Sequence, residues 1–378
     1  MSNELPKIAF CWRSSSLTGA QRRFISLARY LNEQGQDAIV LLEKLDALAL
    51  EEITGSEIPH LVSFEWPWWI RILGRGRSRF YDLWVSLGGR SLFYFASKRY
   101  LNNLQRKLGI GLWHGSMSEQ FAHSVSGCAV FEVTSPDWAD RIVERPETVP
   151  RDILLHAVSE NVYDRLAKGL PDRQLLCAPD MFPNVDPAAA LYPSKKEKEK
   201  LIVFAHRFVP RKNGLLFANV AKRFLDCHPE WRVLFRGEGP DEAAIRNVLC
   251  KHISSARVEV GYTSNLGDEL RKSRIFVSII EHDNYPSQSV LEAMVRGNAL
   301  LLSDRGYTKD KFVDGNGIMT SLDADDVLAN LSRMASNVDR LDEMGLRSFD
   351  LARERFSREK YLEHIEVVYR KAGFCRGE

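Results

Sequence analysis

Two cations beside a turn, placed directly after an apolar run, are the best anion-holding group in this 378-residue sequence. In His206-Arg-Phe-Val-Pro-Arg-Lys-Asn213, Arg207 and Lys212 flank a turn set by Pro210 and follow Lys200-Leu-Ile-Val-Phe-Ala205. Arg offers a planar fork for two phosphate oxygens and Lys a compact charge. Taken alone, the pair suits a solvated basic loop better than a ligand site. A second loop, Arg236-Gly-Glu-Gly-Pro240, lacks GxGxxG spacing and is no dinucleotide fingerprint. Gly237 and Gly239 permit a tight turn there, structural or ligand-facing.

The third loop carries most chemistry: Ile279-Ile-Glu-His-Asp-Asn-Tyr-Pro-Ser-Gln-Ser-Val-Leu-Glu-Ala-Met294. An apolar strand ends near Ile280, and a helix is predicted from about Ser287. The free N–H groups and positive dipole end of such a helix suit an anion such as a diphosphate. Glu292 falls in the second turn, where a carboxylate can accept ribose hydroxyls. The alternative is that Ser289 and Glu292 form an S-x-x-E capping box and nothing more. Asp323-Ala-Asp325 resembles a metal-binding carboxylate pair, but its place before a helix opening at Val327 predicts N-capping.

These loops need elements to hold them. Lys7–Trp12 reads as a buried parallel strand, followed by a polar loop, a helix with Phe24, Leu27, Ala28 and Leu31 on one face, a stop at Gly35, and a strand at 37–42. The same strand, loop and helix order returns at 200–227, with further strands at 231–235, 258–260 and 275–280. Repeated βαβ units predict an α/β chain with two Rossmann-like domains, each a parallel sheet covered on both faces, meeting at a cleft. The proline-rich 178–187 and the charge run 192–200 mark an exposed connection. The expected division is 1–184, 185–355, and a closing helix over 356–378 that returns to the N-terminal domain.

Composition narrows the function. A net charge of +2 is too small to indicate nucleic-acid binding. The six cysteines lack CxxC or zinc-like spacing and fit a reducing compartment. Met1–Lys7 shows no basic n-region or cleavage site, and no apolar run is long enough to cross a bilayer. A cytoplasmic protein is expected, either free or peripheral on the inner face of the membrane. Over 66–107 the sequence sets Trp66, Trp68 and Trp69 beside Arg71, Arg75, Arg77 and Arg79, then Lys98, Arg99, Arg106 and Lys107. That pattern suits an anionic membrane surface, or else a mobile acceptor loop followed by a solvated helix.

Set in order along one chain, Arg207 to Lys212, Gly237-Glu-Gly239-Pro240 and Asn284 through Gly297 resemble the family-4 group of retaining glycosyltransferases with the GT-B fold. Ser159-Glu160, Pro183-Asn-Val-Asp186 and Thr18-Gly19-Ala20-Gln21 add to the likeness, which is best from 200 to about 320. It implies that Arg207 and Lys212 hold the diphosphate of a UDP- or GDP-sugar and Glu292 its ribose. Backbone amides around Tyr285, Ser287, Gln288 and Ser289 would meet phosphate or sugar, with Gly19 and Gly237 beside the donor and Gly261 and Tyr262 near the base. It also implies that the domain at 1–184 takes the acceptor and that at 185–355 the nucleotide-sugar donor, with retention of anomeric configuration, a glycan or lipid-linked acceptor, and no cofactor or metal.

Two positions depart from that family. Asn284 replaces the first of its two glutamates, keeping hydrogen-bonding capacity without charge. The loop at 130–136 lacks the family's histidine, leaving His114 in Leu112-Trp-His-Gly-Ser116 as the nearest substitute facing the cleft. A GT-B nucleotide-sugar epimerase and a non-catalytic nucleotide-sugar binding protein are the competing readings.

Overall fold

The computed structural model describes residues 6–12, 19–54, 58–70, 89–181 and 185–374. Thr18, Arg71, Arg75, Arg77, Arg79, Pro183, Asn184 and Cys375 lie outside them. The chain forms two compact units, Met1–Pro179 with Leu362–Glu378, and Asp180–Tyr361. The first boundary thus falls at 179/180 and not 184/185. Asp180 belongs with the second unit because its carboxylate meets Lys311 at 3.0 Å and Arg355 at 3.3 Å. The return to the first unit comes at Leu362, within the helix Arg358–Lys371, and not at 356.

The first unit is a seven-stranded parallel sheet. Its strands are β1 (Lys7–Trp12), β2 (Ala38–Glu43), β3 (Leu61–Phe64), β4 (Ile110–Ser116), β5 (Cys128–Val133), β6 (Leu154–Ala157) and β7 (Leu175–Cys177). Their order is β3-β2-β1-β4-β5-β6-β7. In the helix Gly19–Glu33, the periodic residues Phe24, Leu27, Ala28 and Leu31 are buried, and Gly35 follows at φ +76°. The terminal segment contributes Ile365, Val368, Tyr369 and Phe374 to this unit's core.

The second unit repeats the plan with β8 (Leu201–Ala205), β9 (Arg232–Arg236), β10 (Val258–Gly261), β11 (Ile275–Ser278), β12 (Ala299–Ser303) and β13 (Gly317–Thr320). The order β10-β9-β8-β11-β12-β13 is all parallel. β8, β11 and β12 are buried along their whole length, which is why they read as continuous apolar runs. Phe204 on β8 and Phe235 on β9 meet Phe217 on the helix Gly214–Cys227 at 5.4 and 5.3 Å between ring centroids. This aromatic block fixes the strand ends from which the loops spring.

Candidate functional site

In both sheets the strand order reverses between two central strands, and in such sheets ligands bind beyond the carboxyl ends at that point. In the second unit the reversal lies between β8 and β11, which lead into the two loops that hold Arg207, Lys212 and residues 281–287. The loops are stitched together. Asn213, at φ 55° and ψ 31°, donates from Nδ2 to the Ile279 carbonyl at 2.9 Å. The Glu281 N–H donates to the Arg211 carbonyl at 3.1 Å.

The Gly-Glu-Gly loop supports the first of these from below. His206 N–H donates to the Arg236 carbonyl at 3.0 Å and Phe208 N–H to the Glu238 carbonyl at 2.9 Å. Gly237 has φ +146°, and a Cβ there would overlap the His206 carbonyl oxygen. No side chain fits that approach. Gly237→Ala is therefore expected to displace the cation loop and weaken nucleotide binding at least roughly tenfold, with a loss of about 2 kcal/mol in stability. Calorimetry and urea unfolding check the two parts.

Arg207 is exposed and Lys212 half-buried. Among the described residues, neither side chain has an ion-pair or hydrogen-bond partner. Burial, then the neighbouring Arg211, draws the Lys212 ammonium down to about 8. Burial, then Lys212, holds the His206 imidazole well below its ordinary value, so it stays neutral.

An anion beside Lys212 would reverse that shift, so binding depends on pH. Folded Lys212 loses its proton near 8, whereas its ordinary value is 10.5. Diphosphate affinity should be full below about pH 8 and fall as pH rises through it, while the stability of the free protein rises between about 8 and 10.5. Titration calorimetry from pH 7 to 10 checks this, and Lys212→Arg should flatten the affinity profile because a guanidinium keeps its charge.

The helix expected near Ser287 runs Gln288–Val295, with Ser287 as N-cap. The Ser287 hydroxyl meets that of Ser289 at 3.1 Å and caps no backbone amide. No N–H of Ser287 or Ser289 donates to a described residue's backbone carbonyl. With Ser287 as the cap, Ser289 and Glu292 do not form a capping box. Ser287, Gln288, Ser289 and Glu292 are all half-buried, the first three at the helix start and Glu292 in its second turn. Tyr262, 61% exposed, follows β10 farther along the same sheet edge.

Two residues expected to face a ligand instead point inward. Asn284 is 2% exposed. Its Oδ1 accepts from the Ser278 hydroxyl at 2.5 Å, and its Nδ2 donates to the Ser278 carbonyl and the Ser303 hydroxyl, both at 3.1 Å. The expectation of a sugar contact at Asn284 is corrected, because its amide is consumed in bracing β11 to β12. A glutamate could not donate to the Ser278 carbonyl and would bring a charge into a dry seat. Tyr285 is 4% exposed, and its hydroxyl accepts from the Met181 N–H at 2.8 Å. Its own N–H donates to Asp283 Oδ1 at 3.0 Å, so this amide is already used.

His114 is also corrected. It lies in β4 with 0% exposure, its ring 5.3 and 5.6 Å from those of Phe10 and Phe24. Its Nδ1 meets the Tyr369 hydroxyl at 2.9 Å, and its Nε2 lies 3.5 Å from Glu132 Oε2. Arg23 forms a two-point ion pair with Glu132, and His156 Nδ1 lies 3.6 Å from the same carboxylate. His156 Nε2 in turn meets His364 Nε2 at 3.0 Å. Despite its burial, Arg23 with both histidines holds the Glu132 carboxyl well below the usual range. Register within the buried stretch Leu112–Gly115 of β4 sends His114 to the core and not to a ligand.

His114, Glu132 and His156 have ligand atoms close enough for one metal ion. The chemistry does not fit one. Arg23 already neutralises the carboxylate, and a divalent ion would leave two uncompensated positive charges in a dry core. In the other acidic motif, Asp323 accepts from the N–H groups of Asp325 and Asp326 and caps the helix Ala324–Ala335, which opens three residues before the expected Val327.

Sequence reasoning missed the residues that shape these loops. Asn213 betrays itself only by its left-handed conformation. Asp283, which accepts from the Tyr285 and Tyr307 N–H groups and the Thr308 hydroxyl, had a signal in its place two residues before a turn amide. Arg23 and Glu132 gave none.

Two Rossmann-like parallel sheets, each with a reversal of strand order, form a GT-B fold, and comparisons over nearly the whole chain agree. A glycosyltransferase from Rickettsia africae ESF-5 is similar with TM-score 0.70 and 12% identity, covering 98% of this chain and 99% of its own. A point mutant of S. aureus TarM, in complex with fondaparinux, alpha-GlcNAc-glycerol and UDP, gives TM-score 0.72 and 11% identity, with 96% and 99% covered. Anabaena Alr3699/HepE, in complex with UDP and glucose, gives TM-score 0.71 and 14% identity, with 97% and 100% covered. Residues 192–345 match the family of glycosyl transferases group 1. No curated protein matches the sequence. Among the described residues, no helix is long and apolar enough to cross a membrane.

Proposed function

We propose that this protein is a glycosyltransferase that moves a sugar from a UDP- or GDP-sugar to a glycan or lipid-linked acceptor in polysaccharide or glycolipid assembly. The observation that carries the reading is the pair of cations Arg207 and Lys212, without partners among the described residues, at the reversal point of the second sheet. Residues 192–345, which match glycosyl transferases group 1, contain both. UDP in the TarM and HepE structures supports the donor class.

In this reading Arg207, Lys212 and the Ser287–Ser289 amides neutralise the departing diphosphate while the sugar takes on oxocarbenium character. Glu292 accepts the ribose hydroxyls and Tyr262 borders the base. The anomeric configuration is retained, as in the family-4 enzymes the motifs resemble. Charge stabilisation comes from side chains and helix amides, so no metal or cofactor is required. Trp66 to Lys107 provides peripheral contact with anionic lipid on a cytoplasmic face.

Full-length protein incubated with UDP- and GDP-sugars tests this. At least one donor should raise the melting temperature, since a ligand bound only by the native state stabilises it. Transfer to a glycan or lipid-linked acceptor should survive EDTA. Activity abolished by EDTA and restored by manganese would refute the metal-free mechanism, and no thermal shift with any nucleotide sugar would refute the donor assignment. A second reading, a nucleotide-sugar binding protein without catalysis, draws on the inward-facing Asn284 and His114. Donor binding with no transfer would establish it, whereas donor turnover without acceptor would identify an epimerase.

A further inference from the structure

His206 follows β8 directly and stands one residue before Arg207, at the reversal point of the second sheet. Its side chain is half-buried, and its Nε2 is buried without a hydrogen-bond partner among the described residues. Burying such a group unpaired disfavours folding, so an orphan of this kind in a native core needs a cause. Packing does not supply one. The ring lies edge-on to Phe204, with 5.0 Å between centroids, and 6.1 Å from Phe276 on β11. The His206 N–H is tied to the Arg236 carbonyl, and Gly237 sits against the His206 carbonyl oxygen. A phenylalanine would fill the same aromatic seat with no polar atom to strand.

Charge places the ring with the cations. Lys212 is near enough for its ammonium to act on the imidazole, so an anion held by Lys212 lies close to the ring. Other charged groups on the adjoining loops are engaged elsewhere or turned outward. Arg236 is paired with Glu259 and Glu269, Asp283 accepts from the Tyr285 and Tyr307 N–H groups, and Glu238 and Glu281 are exposed. With burial and Lys212 both opposing its charged form, the ring stays neutral. A neutral imidazole still carries one N–H and donates a hydrogen bond without adding charge. That suits one form of the ligand. A diphosphate esterified at both ends carries one negative charge on each phosphate, which Arg207 and Lys212 match. Its freed form gains further charge on the terminal phosphate near neutral pH. A third cation here would favour the freed form, and a neutral donor does not.

We propose that His206 donates a hydrogen bond from Nε2 to a phosphate oxygen of the bound diphosphate and, by adding no charge, favours the sugar-linked diphosphate over the freed one. The proposal rests on the donor reading of this site and adds to it a contact and a basis for telling substrate from product.

Titration calorimetry on the full chain at neutral pH, with a panel of UDP- and GDP-sugars and with UDP and GDP as probes, tests it alongside ring-nitrogen NMR of histidine-labelled protein. In His206→Phe the sugar nucleotide that binds should lose roughly tenfold in affinity, while the urea midpoint stays level or rises. His206→Gln, whose amide donates without charge, should recover most of that loss. His206→Lys should shift the preference toward the free nucleotide by at least roughly tenfold. In the wild type the His206 signals, assigned by their loss in either the Phe or the Gln variant, should report a neutral ring with and without the sugar nucleotide, and the Nε2 proton should move downfield on binding. Full affinity in His206→Phe, an imidazolium in the complex, or an unchanged preference in His206→Lys would overturn the proposal and leave the donor reading standing. Absence of binding by every sugar nucleotide would overturn both.

Discussion

Replacing both Arg207 and Lys212 with alanine is expected to lower nucleotide-sugar affinity by about 10²–10⁴-fold while leaving stability within about 1 kcal/mol. Each hydrogen bond from a cation to phosphate contributes about 1.5–3 kcal/mol, and the two act on one diphosphate. Stability barely changes because neither side chain has a partner among the described residues, and because half-burial of Lys212 already disfavours its charged form. The single variants should each lose part of the affinity, and Arg207→Lys should recover little because a point charge cannot replace a fork. Titration calorimetry alongside urea unfolding measures both quantities. Unchanged affinity in the double variant would remove the basis for the donor assignment. A large loss of stability instead would mean that the loop's cations hold the fold.

The second large effect is in the first unit. Glu132→Ala should destabilise it by about 3–5 kcal/mol, because it strands the Arg23 guanidinium in a core that excludes water. That is a large fraction of a domain's net stability. Arg23→Met with Glu132→Leu should cost much less than the sum of the single changes, since the pair leaves together. Glu132→Gln should fall between. The sign of the acid dependence follows from the depressed carboxyl: this contribution is present above the ordinary carboxylate range and is lost only as pH falls through the lower folded value. Urea midpoints of the wild type, Arg23→Met, Glu132→Leu and the double variant, followed by the signal of the buried Trp113, measure the cycle. Additive losses would show that Arg23 and Glu132 are not coupled.

Much of the architecture was legible because it is local. Buried parallel strands are continuous apolar runs, so β1, β2, β8, β9, β10 and β11 could be placed within a residue or two from the sequence. Helical spacing of Phe24, Leu27, Ala28 and Leu31 marked the first helix face. β3 to β7, β12 and β13 were not assigned; some are short, as in Leu175–Cys177, and Ile110–Ser116 is broken by Gly and His. The cation loop and the helix start at Ser287 were also visible, since a turn residue after a strand and a polar run before a helix are signals within a few positions.

What the sequence determined by itself was therefore the βαβ rhythm, the two-part division and the types of group at the strand ends. Only the tertiary structure decided which way those groups face. His114 and Asn284 looked available by residue type, but strand register and a bracket of serines turn both inward. Arg23 and Glu132 are separated by 109 positions and meet only when the sheet is assembled. The physical reason is the same in each case. Backbone conformation is chosen largely by near neighbours, whereas burial, charge pairing and the orphaning of Lys212 depend on chain segments far apart in sequence.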